Sequence, residues 1–302
     1  MSTQKVVIIL GTNASGKSLI GLELARRFNG EIISADSRQI YKGFDLCSGK
    51  ITKEEAIMIP HHLINICNIG DNFSVADFQK QCYHLIPEIS QKRHLPFIVG
   101  GTGLYIDSVT KGYKFKNSSP DYDMRCYLEG KSVEELQKML NELGIKYRNG
   151  DSSYFSNKRR LIRLIEKWYS GEHLEENDCE PKFETLQLGI TWSKEILHKR
   201  IEDRLSKRIE QGMIDEVRQY IDNGGNVEFL LKLGLEYKYI YWYLSGRYKT
   251  LEEFSSEMGR AIKKFAKKQM TWFKRNNDII WIDMEKDPIN QANLEIERFL
   301  SN

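Results

Sequence analysis

The first apolar run in the chain, KVVIIL at residues 5–10, is continuous and β-branched. That is the pattern of a strand buried on both faces of a parallel sheet. It runs straight into a glycine-containing loop, after which residues 17–28 follow a helical period, with Leu19, Leu22, Leu24 and Phe28 available for packing. EIIS at residues 31–34 predicts a short second strand ending at Asp36. Ser74, with Asp77 three residues on, predicts an N-cap for a helix reaching about Ile89. LPFIV at residues 95–99 predicts another buried strand, ending in Gly100-Gly101-Thr102-Gly103. Strand, glycine turn and helix in repetition predict an α/β fold. It is a doubly wound parallel sheet with ligands at the carboxyl ends of its strands.

Past about Lys111 the pattern changes. Residues 114–182 are polar, mostly helical in period, and start and end in the turn-rich stretches NSSPDYD and ENDCEP. They predict a helical insertion into a core formed by residues 1–113 and 183–302. Residues 186–190 predict a strand returning to that core. Helices follow at about 194–211, 213–223, 236–245 and 251–275, and a last strand at 279–282.

Composition narrows the class. The 302 residues are 40% hydrophobic and 29% charged, enough apolar content to bury a core. No apolar run approaches the roughly 20 residues a membrane span needs. The N-terminal stretch MSTQKVVIIL lacks the basic region of a signal peptide. Five cysteines without a C-x-x-C pair argue against zinc and a disulfide framework, and fit a reducing cytoplasm. A net charge of +3 does not by itself imply nucleic acid, so the placement of charge carries more weight. Adjacent His61 and His62 lack metal-ligand spacing and predict a turn.

The chemistry begins at GTNASGKS, residues 11–18, which matches G-x-x-x-x-G-K-[ST] in the required strand–loop–helix setting. Backbone amides of Gly11, Thr12, Asn13, Ala14, Ser15 and Gly16 can close around phosphate oxygens at the positive end of a helix. Lys17 adds a point charge, and the Ser18 hydroxyl can hold Mg²⁺. Asp36, just past the second strand, falls over the same crevice, where a carboxylate can take a proton from a nucleophile or simply close an Asx turn. Neither EIISADS nor LPFIVGG resembles a Walker B acid, which weakens a reading as an ordinary ATPase.

Three stretches could meet a polyanion. In residues 256–275, Arg260, Lys263, Lys264, Lys267, Lys268, Lys274 and Arg275 share one helical face, opposite Ile262, Phe265, Ala266, Gln269, Met270 and Phe273. Such a face is a solvated lysine surface or a track for a phosphate backbone. Lys158, Arg159, Arg160 and Arg163 lie beside Tyr154, Phe155 and Trp168, a mixture that stacks on unpaired bases or packs a core. Arg200, Arg204 and Arg208 form a third stripe, suited to an anion or to pairing with Glu202, Asp203 and Glu210.

Together these segments resemble the tRNA dimethylallyltransferases, also called tRNA isopentenyltransferases, of bacterial type. The resemblance rests on GTNASGKS, SADSRQIYKGFD, PHHLINI, FSVADFQ, VGGTGLYI, RRLIRLIE, LHKRIEDRL and KKQMTWFKR in that order. It implies transfer of a dimethylallyl group from dimethylallyl diphosphate to the exocyclic amine of the adenosine 3′-adjacent to the tRNA anticodon. It implies Mg²⁺ on Ser18, a diphosphate held by residues 11–18 and Arg204, and Asp36 as general base. Asp36, Ser37, Arg38, Gln39, Thr102, Arg125, Arg159, Arg160 and Arg163 match tRNA-contacting positions, and Lys264, Lys267 and Lys268 extend them. A cytoplasmic, monomeric enzyme without a membrane partner is expected. Three P-loop positions depart from the family: Thr12, Asn13 and Ser18 replace proline, threonine and threonine. The family's V-G-Y-R-like segment reads KLGLE at residues 232–236, with Glu236 in place of an arginine. A P-loop kinase for a small metabolite would explain the first hundred residues, but not the basic helix or the insertion cluster. An RNA-binding module with a vestigial P-loop would leave Lys17, Ser18 and Asp36 without a purpose.

Overall fold

The computed structural model describes residues 4–52, 57–115, 122–145, 155–170 and 179–301. Contacts divide the chain into two compact units. One joins the residues up to Gly112 to those from Pro181 onward, and the other spans Tyr113–Glu180.

The larger unit is built on six parallel strands. They are β1 (Lys5–Gly11), β2 (Gly30–Ala35), β3 (His61–His62), β4 (Leu95–Gly100), β5 (Glu184–Thr191) and β6 (Ile280–Asp283). Their order is β3-β2-β4-β1-β5-β6. β1 lies at the centre, pairing with β4 on one side and β5 on the other. Because side chains alternate along a strand, β1 feeds both faces. Val6, Ile8 and Leu10 pack against helices α3 (Val75–Gln91) and α4 (Gly103–Thr110). Val7 and Ile9 pack against α1 (Lys17–Arg27) and the C-terminal α13 (Pro288–Ser301). The reversal of winding on either side of β1 opens a crevice at the carboxyl ends of β1, β2 and β4.

Helices α8 (Lys194–Glu210), α9 (Met213–Asp222), α10 (Val227–Leu233), α11 (Leu235–Leu244) and α12 (Leu251–Phe273) share a further core. Ile201, Leu205, Tyr237, Phe254 and Ile262 are buried there together with Ala14 and Phe44. A short α2 (Asp45–Ser48) lies between β2 and β3, and the Glu216 carboxylate accepts the backbone N–H groups of Leu46 and Cys47 at 3.0 and 2.8 Å. The smaller unit contains α5 (Tyr122–Glu129), α6 (Val133–Glu142) and α7 (Lys158–Tyr169), packed through Leu128, Leu136, Leu140, Leu161 and Ile165.

Several local expectations hold. Ser74 caps α3 through a reciprocal capping box with Asp77. Others do not. Leu19 is 66% exposed, because Ile20, Gly21, Leu24 and Ala25 form the buried face of α1. His61 and His62 form the edge strand β3 rather than a turn, pairing with Ile32 and Ile33. There His62 Nε2 and His94 Nδ1 meet the buried Glu31 carboxylate at 2.7 and 2.6 Å. Burial alone would raise the Glu31 pKa, but the hydrogen bonds from His94 and His62 hold it below the ordinary carboxylate range. The helix expected at 236–245 begins one residue earlier, at Leu235, and the break at Gly234 separates it from α10.

Candidate active site

β1 ends at Gly11, and the loop that follows delivers Lys17 and Ser18 to the first turn of α1. Lys17 Nζ donates to Thr12 O at 3.2 Å. Burial strips water from the ammonium and Arg204 repels it. These outweigh the attraction of Asp36 and bring its pKa down to about 8. The cation is therefore held at a cost that an anionic ligand would relieve.

Asp36 follows the end of β2 and lines the same crevice as Lys17, Ser18 and Arg204. Its Oδ1 accepts the Arg38 backbone N–H at 3.0 Å, so the Asx-turn reading is realised. Among the described residues Oδ2 accepts no hydrogen bond. One carboxylate thus fixes its own loop with one oxygen and offers the other to the crevice. Across from it, the Thr102 hydroxyl accepts the Ser37 backbone N–H at 3.1 Å, tying β4's glycine turn to the segment after β2. Gln39 joins the same segment to Gly49 O at 3.2 Å. Lys50 Nζ meets Tyr41 O, Asp45 Oδ1 and Asn65 Oδ1 at 2.7 Å each, and fixes the loop that ends at Gly49.

The arginine stripe of α8 resolves in favour of the P-loop. Arg200 Nε donates to Ala14 O at 3.0 Å, and its guanidinium lies 4.5 Å from the Trp192 ring centroid. Trp192 Nε1 in turn donates to Ser15 O at 2.8 Å. Arg204 Nη1 donates to Asn13 Oδ1 at 3.0 Å. Burial, together with the charges of Arg208 and Arg200, depresses the Arg204 pKa against the pull of Glu236 and Asp36. Arg208 turns toward α2, donating to Leu46 O and Cys47 O. Glu202 meanwhile pairs with Lys263.

Three further residues complete the crevice. Gln269, on the inner face of α12, accepts the Asn13 N–H at 2.8 Å and donates to Gly101 O at 2.9 Å. A Cβ on Gly101 would come 2.6 Å from Gln269 Nε2 and 3.2 Å from Gly11 O, so any other residue there would displace the Gln269 amide from its place in the crevice. Phe265, one turn earlier on α12, and Glu236 of α11 line the wall beside Arg38. The arrangement suits a diphosphate beside Lys17 and Arg204, with a nucleophile beside Asp36.

A family model described as IPP transferase matches residues 39–276. The chain belongs to this family. It is 38% identical over 298 residues to tRNA dimethylallyltransferase 2 of Shewanella sediminis, covering 97% of each chain. It is 41% identical over 274 residues to tRNA dimethylallyltransferase 2 of Treponema denticola, covering 89% of this chain and 91% of that one. Among solved structures, the tRNA isopentenylpyrophosphate transferase of Bacillus halodurans superposes with a TM-score of 0.72 at 34% identity. That match covers 99% of this chain and 96% of the other. A eukaryotic dimethylallyltransferase captured acting on tRNA gives a TM-score of 0.82 at 25% identity, covering 99% of this chain and 80% of the other.

In this IPP transferase family member, the crevice gathers Asn13, Lys17, Ser18, Asp36, Arg38, Gln39 and Arg204, whereas Ser37 and Thr102 meet each other without lining it. Lys264, Lys267 and Lys268 are exposed on α12. Arg125, Arg159, Arg160 and Arg163 belong to the smaller unit. There Arg125 forms a two-point pair with Glu166, at 2.7 and 2.9 Å, which clamps α5 to α7. Arg159, Arg160 and Arg163 are exposed, and Trp168, 43% exposed, lies outside the unit's core. Phe155 packs against that core, while Tyr154 lies outside the described residues. Sequence reasoning misses Trp192 and the bridging role of Gln269. The only signal for Gln269 is a polar residue on an otherwise apolar helix face.

Proposed function

We propose that this prenyltransferase moves a dimethylallyl group from dimethylallyl diphosphate to the exocyclic amine of the adenosine 3′-adjacent to the tRNA anticodon, as a cytoplasmic monomer. The observation that carries the reading is a single crevice holding Lys17 and Arg204 against the P-loop, with the Asp36 carboxylate facing them. The cations make a cradle for a leaving diphosphate, and the carboxylate waits where the attacking amine must lie.

Lys17, Arg204 and the P-loop amides other than those of Asn13 and Ser15, which donate to Gln269 Oε1 and Thr12 O, neutralise charge that builds as the allylic C–O bond breaks. A new C–N bond forms at the same carbon, pyrophosphate departs, and the amine's proton passes to Asp36 Oδ2. An aromatic exocyclic amine is a weak nucleophile, so orientation supplies much of the rate. The target base leaves the anticodon stack to reach the crevice. Ser18, exposed at the start of α1 and lining the crevice, offers a hard oxygen of the type a divalent cation selects. Mg²⁺ held by the Ser18 hydroxyl would supply further positive charge to the leaving group. Arg38, Thr102, the exposed lysines of α12 and the exposed arginines of the smaller unit would hold the tRNA.

The test is incorporation of label from dimethylallyl diphosphate into unmodified tRNA, with Mg²⁺ and without ATP. Labelled tRNA is the expected outcome. Absence of label together with ATP turnover on a small acceptor would overturn the reading in favour of a kinase.

A further inference from the structure

Glu236 is 2% exposed yet lies in the wall of the crevice. The chain brings it there through an unusual turn. Gly234 ends α10 at φ 73, ψ −165, a conformation open essentially to glycine, and Leu235 follows at φ 36. The turn restarts the chain as α11 with Glu236 in its first turn, facing the segment after β2.

Two guanidiniums meet the buried carboxylate. Arg38 Nη1 lies 3.4 Å from Oε2, and Arg208 Nη1 lies 3.8 Å from Oε1. The two arginines differ in what else holds them. Arg208 already donates to Leu46 O and Cys47 O. Among the described residues, the Arg38 side chain has, besides Glu236, only Leu233 O at 3.3 Å and the face of Phe265, 5.2 Å from its ring centroid. Both polar anchors of the Arg38 side chain therefore come from the α10–α11 turn. The Arg38 backbone N–H is bound to Asp36 Oδ1, so the turn that fixes the carboxylate also fixes where this side chain sets out.

We propose that Glu236 is a positioning residue for the acceptor side of the reaction, holding the Arg38 guanidinium against Phe265 as the wall of the crevice where the RNA enters beside Asp36. The proposal rests on tRNA being the acceptor. A free arginine side chain loses rotamer freedom when it engages RNA, and a side chain already held loses less. A planar guanidinium held at the crevice can meet a phosphate or stack on a base. Glu236 does this without touching the RNA; its direct ion pairs are with Arg38 and Arg208, and it reaches the diphosphate half of the site only through its charge, which favours the Arg204 cation.

The experiment compares the wild type, Glu236→Gln, Arg38→Gln and the double variant. It reads kcat and KM for tRNA, and the Kd for inorganic pyrophosphate with Mg²⁺. Glu236→Gln should raise KM for tRNA about tenfold, the scale of one side chain's lost preorganisation, with a smaller change in kcat and no weakening of pyrophosphate binding. In the Arg38→Gln background the same substitution should add almost nothing. An equal effect in both backgrounds, or weakened pyrophosphate binding, overturns the proposal and leaves Glu236 as a counter-charge for Arg208. Should Glu236→Gln not fold, Glu236→Asp keeps the charge Arg208 needs while shortening the reach to Arg38. The same dependence on Arg38 is then required. A wild type that fails to modify tRNA sinks the parent reading and this one with it. A working wild type with independent variants sinks only the role of Glu236.

Discussion

At the scale of single residues, the proposed reaction divides the labour between a carboxylate on the acceptor side and an ammonium on the diphosphate side. Asp36 holds its own turn with one oxygen, and the proposed reaction gives the other to the substrate amine, so its substitution should separate chemistry from binding. Asp36→Ala is expected to lower kcat by about a hundredfold or more, the scale of a lost general base. Pyrophosphate binding should persist, because Lys17 and the P-loop remain. Near-normal turnover would remove Asp36 from the mechanism. Lys17 makes a prediction about pH. Its pKa in the free protein lies at about 8, down from 10.5. Only the protonated form attracts the diphosphate, so kcat/KM for dimethylallyl diphosphate should fall as pH rises through about 8. A bound diphosphate favours the cation, so the corresponding fall in kcat should come at higher pH. Identical breaks in both profiles would show that Lys17 does not face the diphosphate.

At the scale of elements, α8 and α12 approach the P-loop from different directions and do different things. α8 sends Arg200 and Arg204 into the loop. α12 sends Gln269 inward to the loop and turns Lys264, Lys267 and Lys268 outward. The outer face is the part proposed to follow the tRNA backbone. Replacing Lys264, Lys267 and Lys268 with alanine should weaken tRNA binding and flatten its logarithmic salt dependence by about two units, at roughly 0.7–0.9 for each phosphate no longer neutralised. Turnover at saturating tRNA should change little. An unchanged slope would make this face a solvated surface only. These elements also show what was legible. The P-loop, Asp36 and the amphipathic split of α12 depend on neighbours in sequence, and the chain displays them openly. Gln269 reaches Asn13 across 256 residues, and no local pattern encodes that meeting. The stripe of α8 is visible as a stripe, but its partners are distant in sequence: Arg200 and Arg204 reach Ala14 O and Asn13 Oδ1, while Glu202 pairs with Lys263. Strand β3 is two residues long and carries no periodicity to read.

At the scale of the whole molecule, the chain contains a detour that its core does not use. Among the described residues, none in the sheet's two hydrophobic clusters or in the helical cluster beside the P-loop comes from Tyr113–Glu180. The detour has its own core, drawn from Leu128, Leu136, Leu140, Leu161 and Ile165. Its ends meet, since Tyr113 and Cys179 form an antiparallel bridge. Two separate cores with adjoining chain ends are the condition under which an inserted unit can be removed without unravelling its host. Replacing residues 113–180 with a short Gly-Ser linker should therefore leave a protein that melts cooperatively and binds pyrophosphate with Mg²⁺ as the full chain does. The cradle at Lys17 and Arg204 lies wholly in what remains. The same protein should lose most of its activity on tRNA, because Arg159, Arg160 and Arg163 go with the removed unit and no residue of the P-loop cradle replaces them. Calorimetry and the labelling assay read the two halves of this expectation separately. A shortened chain that melts without cooperativity would show that the core depends on the detour after all. One that modifies tRNA at the full rate would return the whole of RNA recognition to α12 and the crevice wall around Arg38.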